Sequence, residues 1–141
     1  MDEIIEVYQD YLDMDEEEIN MIAVQAIDAI FEHLQEFYDE ETVLKTIINI
    51  FGVICSADGE ICAEEYDMFS LLTKANVTFE QFCEVMQYGQ YEEVINDFFE
   101  FANSQGDQFT NELFVLAICI FTCKGFMTTK EQEFIYNHFI Q

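Results

Sequence analysis

Residues 46–69 decide the fold and read TIINIFGVICSADGEICAEEYDMF. The segment TIINIFGVIC is apolar nearly all round a helix, which is typical of a helix buried at the centre of a bundle. Gly59 then permits the left-handed backbone conformation that ends such a helix. An amphipathic run, YDMFSLL, follows the acidic corner ADGEICAEE. The stretch therefore predicts a central helix and a second helix joined by a sharp corner.

The same pattern recurs later in the chain. Residues 112–135 read ELFVLAICIFTCKGFMTTKEQEFI, at an offset of 66 positions. Gly59 then corresponds to Gly125, and Glu65 to Glu131. Each copy has an apolar helix, a turn at glycine, an inward apolar residue, a cap position and an amphipathic helix. We therefore predict two pseudo-symmetric halves, each built from a pair of helices.

Apolar residues recur with helical spacing along nearly the whole chain, and capping residues mark where helices begin. Asp15 and Thr78 are the predicted N-caps, with Glu18 and Gln81 three residues later. The predicted helices cover about residues 2–12, 15–38, 41–57, 63–74, 78–88, 91–104, 108–123 and 129–140. We expect one all-α domain over residues 1–141, a bundle of about seven to eight helices. Its acidic N-terminal helices lie in 1–40 and the helix-pair repeat in 41–141.

The charge of the chain restricts its partners. The 141 residues include 30 acids, four lysines and no arginine, which gives a net charge of −26 with the two histidines neutral. Such a surface repels nucleic acid and anionic lipid, and no arginine is present to clamp a phosphate. We therefore expect no direct binding of nucleic acid. Cations, basic proteins and proteins that normally bind DNA remain as partners.

The sequence favours the cytoplasm. The N-terminus, MDEIIEVYQD, lacks the basic and apolar regions of a signal peptide. The longest strongly apolar run, 113–121, is shorter than the roughly 20 residues that span a bilayer, so no membrane insertion is expected. The five cysteines are odd in number and form no CxxC motif, which indicates reduced thiols.

The acidic corner has two interpretations. An EF-hand loop is excluded, because Ile54 and Ser56 would stand where calcium needs oxygen ligands. A different metal site stays open, since clustered carboxylates suit calcium, magnesium or manganese. The candidate ligands are Asp58, Glu60, Glu64 and Glu65. The second interpretation is a plain helix corner, in which Cys62 caps the next helix and Glu65 stands at its third position.

The motif ADGEI, followed after two residues by EE, resembles the hallmark of TerB-like domains, the tellurite-resistance B family. CKGFMTTKEQEFI resembles the degenerate second half of that family, so the resemblance covers about residues 41–141. It implies an all-helical fold of two pseudo-symmetric halves, a link to stress responses, and metal or protein binding through acidic residues. By the motif these are Asp58, Glu60, Glu64 and Glu65. Lys124 and Lys130 depart from an acidic pattern in the second half.

Enzymatic chemistry has little support in the sequence. His33 and His138 have no Cys, Ser or Asp at a telling spacing. No phosphate-binding glycine loop, nucleophile elbow or HExxH motif is present. Adjacent carboxylates such as Glu64 and Glu65 suit acid–base chemistry, so a hydrolase of unknown class is kept as a second alternative. We expect a protein that is not an enzyme.

The first alternative function is mimicry of DNA. Fifteen of the 30 acids lie in residues 1–41, and no lysine or arginine precedes Lys45. One predicted helix presents what we term the N-terminal acidic face, formed by Glu17, Asp28, Glu32 and Glu36. The principal expectation is an acidic, stress-linked interaction module that binds another, basic protein and a divalent cation. The alternative is an inhibitor that imitates nucleic acid and binds to a DNA-binding protein in its place.

Overall fold

The computed structural model describes residues 9–57, 62–74, 77–87, 92–122 and 127–140. These ranges are all-helical, contain no strand and form one compact body, which confirms the predicted fold class. After a helical segment at residues 9–12, the elements are α1 Glu16–Gln35, α2 Glu40–Cys55, α3 Ala63–Thr73, α4 Phe79–Gln87, α5 Glu92–Ser104, α6 Asp107–Thr122, α7 Thr129–Ile135 and a π-helical turn at Tyr136–Ile140.

The helices begin at the predicted capping residues. The Asp15 carboxylate accepts the Glu18 N–H at 2.8 Å, which confirms the cap of α1. Thr78 and Gln81 exchange two bonds: the Thr78 N–H donates to Gln81 Oε1 at 2.9 Å, and the Gln81 N–H donates to Thr78 Oγ1 at 3.1 Å. These side chains therefore bind backbone N–H groups at the helix starts that would otherwise need water.

The core is centred on α2 and α6, as their apolar composition predicts. Residues 50–55 of α2 and 116–122 of α6 are all buried. α1 makes its most extensive contact with α6, and Ala23 and Ala26 are among its fully buried residues. α2 packs against α4 and α5 on its other sides. Within the described ranges, none of the helices combines the length and hydropathy that a bilayer crossing requires.

The two quoted stretches of sequence have matching local structure. Ile47 and Leu113 are buried at corresponding positions, as are Ile50 and Leu116. Each amphipathic helix also begins with a buried glutamate that accepts the N–H of its cap residue. Glu65 Oε1 accepts from Cys62 at 2.9 Å, and Glu131 Oε1 accepts from Thr128 at 2.9 Å. The residues that join the helices, 58–61 and 123–126, lie outside the described ranges.

The last predicted helix, 129–140, changes its winding part-way. α7 ends at Ile135, and the five residues after it wind as a π-helix. The wider turn accompanies aromatic packing: the His138 ring stacks on Phe99 with centroids 4.3 Å apart, and Phe139 meets Phe114 at 5.6 Å. Burial lowers the pKa of His138, which favours its neutral form as a packing residue.

Candidate functional site

The acidic corner is only partly described by the structure. Asp58 and Glu60 lie outside the described residues, so whether they meet the other two carboxylates stays a prediction. Glu64 and Glu65 are neighbours in the first turn of α3, yet their environments are opposite. Glu65 is 2% exposed and its carboxylate caps the helix, whereas Glu64 is exposed. One of the two carboxylates therefore has a structural task, and the other faces solvent.

The Cys62 thiol at this corner is half-buried. Burial raises its pKa to about 12, and the Glu65 carboxylate beside it adds to the rise. At neutral pH the sulfur is therefore protonated, while a metal ligand or nucleophile must be a thiolate. Buried Cys119 in α6 behaves in the same way, because burial raises its pKa to about 12. Without a bound metal, both sulfurs are therefore thiols and not reactive thiolates.

Glu64 lines a cleft between the first halves of α1 and α3. The cleft has a volume of about 340 Å³, and buried Ile19 and Met68 lie at its base. It continues into a shallow surface along α1. Together they form what we term the acidic groove, with five carboxylates and three exposed apolar side chains. The carboxylates are Asp15, Glu16, Glu17, Glu64 and Asp67, and the apolar side chains are Met21, Val24 and Leu71.

The acidic groove is absent from the sequence-based predictions. The sequence indicates it only weakly. Met21 and Val24 are apolar residues outside the buried face of α1, and Leu71 lies outside the buried face of α3. Single exposed apolar residues are ordinary on protein surfaces. Only the packing of α1 against α3 brings these three together beside the carboxylates.

A second cleft, between α2 and α4, has a different character. It encloses about 140 Å³ and is lined almost wholly by apolar side chains, with Leu44, Ile48 and Val85 partly exposed at its edge. None of its described lining residues is a carboxylate, and Lys45 follows Leu44 in the chain. Substitutions in this second cleft are therefore matched controls for substitutions in the acidic groove.

The acidic side chains are overwhelmingly on the surface. Among the acids that the structure describes, Glu65 and Glu131 are buried, Glu112 is half-buried, and all others are exposed. Every α-helix carries at least one exposed acid, so the negative charge is not confined to the N-terminal acidic face. Across the described ranges one ion pair occurs, between Lys45 Nζ and Glu41 Oε1 at 3.2 Å. Almost none of the charge on the described surface is therefore neutralised by ion pairs within the described ranges.

The histidines contribute to packing. His33 Nε2 is hydrogen-bonded to Gln105 Oε1 at 2.9 Å, and its ring lies 5.0 Å from that of Phe109. His138 stacks on Phe99 as described above. In the parts of the chain that the structure describes, no three His, Cys, Asp or Glu side chains are grouped closely enough to hold a metal ion.

The contrast between Glu64 and Glu65 yields a direct prediction. Glu65→Ala should lower the free energy of unfolding by about 1–2 kcal/mol, because the Cys62 N–H loses its acceptor and a buried space opens. Glu64→Ala should change it by less than about 0.5 kcal/mol, as expected for an exposed position. Urea denaturation followed by circular dichroism measures both. Equal losses in the two variants would contradict the division of roles.

Comparison of the chain with protein-family models, with curated proteins and with solved structures finds no match.

Proposed function

We propose that this chain is a non-enzymatic, acidic interaction domain of the cytoplasm that binds the cationic surface of another protein. The observation that carries the proposal is the exposed and nearly uncompensated charge of the described surface, with Lys45–Glu41 as its one ion pair. Such a surface attracts basic partners and speeds their association. The sequence motif ADGEI with EE supports a TerB-like, stress-linked role within this proposal.

The pseudo-symmetric halves are part of the same proposal. Two features support them: equivalent positions of α2 and α6 are buried, and both following helices begin with a buried glutamate that accepts the cap N–H. The halves differ in charge, because Lys130 follows the second cap at the place where Glu64 follows the first. We therefore assign the acidic binding role to the first half.

Affinity capture tests the protein-binding proposal. The immobilised chain is incubated with lysate of its source organism at about 0.1 M salt and washed at about 1 M, where the Debye length falls from about 10 Å to about 3 Å. We expect a basic protein to be retained at the lower salt and released at the higher. Leu113→Asp provides the control, since it places a charge at a 1% exposed core position and unfolds the chain while its acids remain.

The outcomes of this capture separate the alternatives. Equal retention by the unfolded control would mean that charge alone binds, and would contradict a folded interaction domain. Displacement of the captured protein by duplex DNA would support the DNA-mimic alternative instead. Substitutions in the N-terminal acidic face would then be expected to abolish capture.

We also propose that the corner binds one divalent cation, calcium, magnesium or manganese, with Asp58, Glu60, Glu64 and Glu65 as the ligand set implied by the motif. Exposed Glu64 offers a carboxylate for this purpose, while Glu65 already accepts the Cys62 N–H. Calorimetric titration of metal-stripped protein should show a saturable event with a stoichiometry of about one. Asp58→Asn combined with Glu60→Gln should abolish it.

The control for the cation test removes the same charge elsewhere. Asp28→Asn with Glu32→Gln neutralises two exposed acids in the middle of α1 and should leave the saturable event unchanged. Weak, non-saturating heats that are alike for every ion and both double variants would indicate diffuse counterion binding. The cation site would then be ruled out, and the corner would be a helix turn.

A further inference from the structure

We propose that the acidic groove binds a basic amphipathic helix of the partner protein, with apolar anchors on one part of its face and lysines or arginines on the next. This inference rests on the proposed function, because it specifies where and how a cationic partner is held. The groove places apolar contact and negative charge side by side, which is the chemistry that such a helix recognises.

The apolar part of the groove has no partner within the described chain. Met21 is 57% exposed, Leu71 45% and Val24 37%, although each belongs to a helix that buries its other face. Met21 and Val24 lie three residues apart on α1 and so share one side of it. Leu71 faces the same surface from α3. Three exposed apolar side chains beside a cleft can accommodate two or three anchors of an incoming helix.

The carboxylates lie toward the N-terminal ends of the two helices that form the groove. Asp15, Glu16 and Glu17 occupy the start of α1, and Glu64 and Asp67 the start of α3. The helix dipoles offset only about half a unit charge at each N-terminus, so five carboxylates leave these ends strongly negative. Among the described residues that line the groove, none has a basic side chain. The partner should therefore present cations to the start of α1 and apolar side chains to Met21 and Val24 farther along it.

The spacing between acidic and apolar side chains along α1 predicts the spacing of the complementary residues on the partner helix. Met21 and Val24 follow Glu16 by five and eight residues, a distance of about 8–12 Å at about 1.5 Å per residue. A helix lying along the groove should therefore carry its basic cluster about two turns from its apolar anchors.

The chain itself offers no suitable occupant. A second copy would bring the same five carboxylates to the groove, and like charges at close range repel. Residues 1–8, MDEIIEVY, supply apolar side chains but also three acids and no basic side chain. Charge complementarity therefore favours a lysine- or arginine-bearing partner over both. The cleft between α2 and α4 lacks the acids and does not fit this partner.

Fluorescence anisotropy with synthetic peptides tests the inference. The probe is a labelled helical peptide of leucine and lysine, with leucines on one face and a lysine block two turns away. A control peptide has the same composition with the leucines distributed round the helix. The patterned peptide should bind saturably and at least about tenfold more tightly than the control peptide.

Variants locate the binding surface. Leu71→Ser and Met21→Ser should each lower the affinity for the patterned peptide about three- to tenfold. Leu44→Ser and Ile48→Ser in the second cleft should leave that affinity unchanged. Glu64→Gln with Asp67→Asn should weaken binding and reduce its salt dependence. All six positions are exposed, so circular dichroism should show each variant folded.

The failures are distinguishable. Equal affinity for both peptides, unaffected by Leu71→Ser, would overturn the groove and leave the proposed function standing. If neither peptide binds at low salt, both proposals fall. A concentration-dependent dimer that Leu71→Ser dissociates in sedimentation would make a second copy the occupant and overturn the inference. Tighter peptide binding after deletion of residues 1–8 would do the same in favour of the chain's own N-terminus.

Discussion

Phe51→Ala should lower the free energy of unfolding by about 3–5 kcal/mol, the range for truncating a fully buried phenylalanine. Phe51 is 0% exposed in α2, and its ring meets Phe69 of α3 edge-on at 5.1 Å. The substitution removes a large apolar side chain, and the helices around it cannot collapse fully into the space. Because small domains are stable by only about 5–15 kcal/mol, much of the fold's stability would be lost.

Urea denaturation measures this loss, and Phe37→Ala is the matched control. Phe37 has the same side chain but is 64% exposed just beyond α1, so its removal should cost less than about 1 kcal/mol. A loss below about 1 kcal/mol for Phe51→Ala as well would contradict the central position of α2. It would equally count against the interpretation of residues 46–55 as a buried helix.

Much of this fold follows from local sequence. The start of α1 depends on Asp15 and Glu18, and the start of α4 on Thr78 and Gln81, so three or four residues contain the whole cap. The burial of residues 50–55 of α2 and 116–122 of α6 follows from their apolar composition, whereas Leu44 and Ile48 of α2 are exposed although the same pattern predicts them buried. Capping residues and apolar composition can both be recognised without knowing which helices are in contact.

The acidic groove depends on contacts that local patterns do not contain. Met21 and Leu71 belong to different helices, and each alone has the appearance of an ordinary exposed apolar residue. The π-helical turn after Ile135 is similar, because it accompanies contacts of His138 and Phe139 with other helices. Features of this kind become visible only when the packing is known.

The acidic corner is predicted in part by local sequence and depends in part on packing. The sequence groups Glu64 and Glu65 as equivalent candidate ligands, since both are carboxylates next to Asp58 and Glu60. One helical residue turns a side chain by about 100°, which places Glu65 against the core and Glu64 in the groove. The plain helix-corner interpretation accounts for Glu65, and Glu64 is the one of the two that is available to a ligand.

Raising the salt concentration should stabilise this protein by about 1–3 kcal/mol, opposite to the effect expected where surface ion pairs dominate. The repulsion comes from like charges three or four residues apart on the helices, at about 0.2–0.5 kcal/mol for each pair. The pairs are Asp28–Glu32, Glu32–Glu36, Glu64–Asp67, Glu80–Glu84, Glu93–Asp97 and Asp97–Glu100. Urea denaturation from about 10 mM to about 1 M sodium chloride covers Debye lengths from about 30 Å to about 3 Å.

A graded pair of variants tests whether repulsion is the cause. Glu32→Gln removes two of the repulsive pairs and should stabilise the protein at low salt, while Glu32→Lys turns both into attractive pairs and should stabilise it further. Both should reduce the response to salt. Stability that is independent of salt would contradict a repulsive surface. Stabilisation by magnesium chloride too dilute to alter the Debye length would instead indicate a bound divalent cation, because a ligand that binds only the folded state stabilises it once its concentration exceeds the dissociation constant. That outcome in the parent chain, absent from the variant with Asp58→Asn and Glu60→Gln, would connect the stability of the fold to the acidic corner.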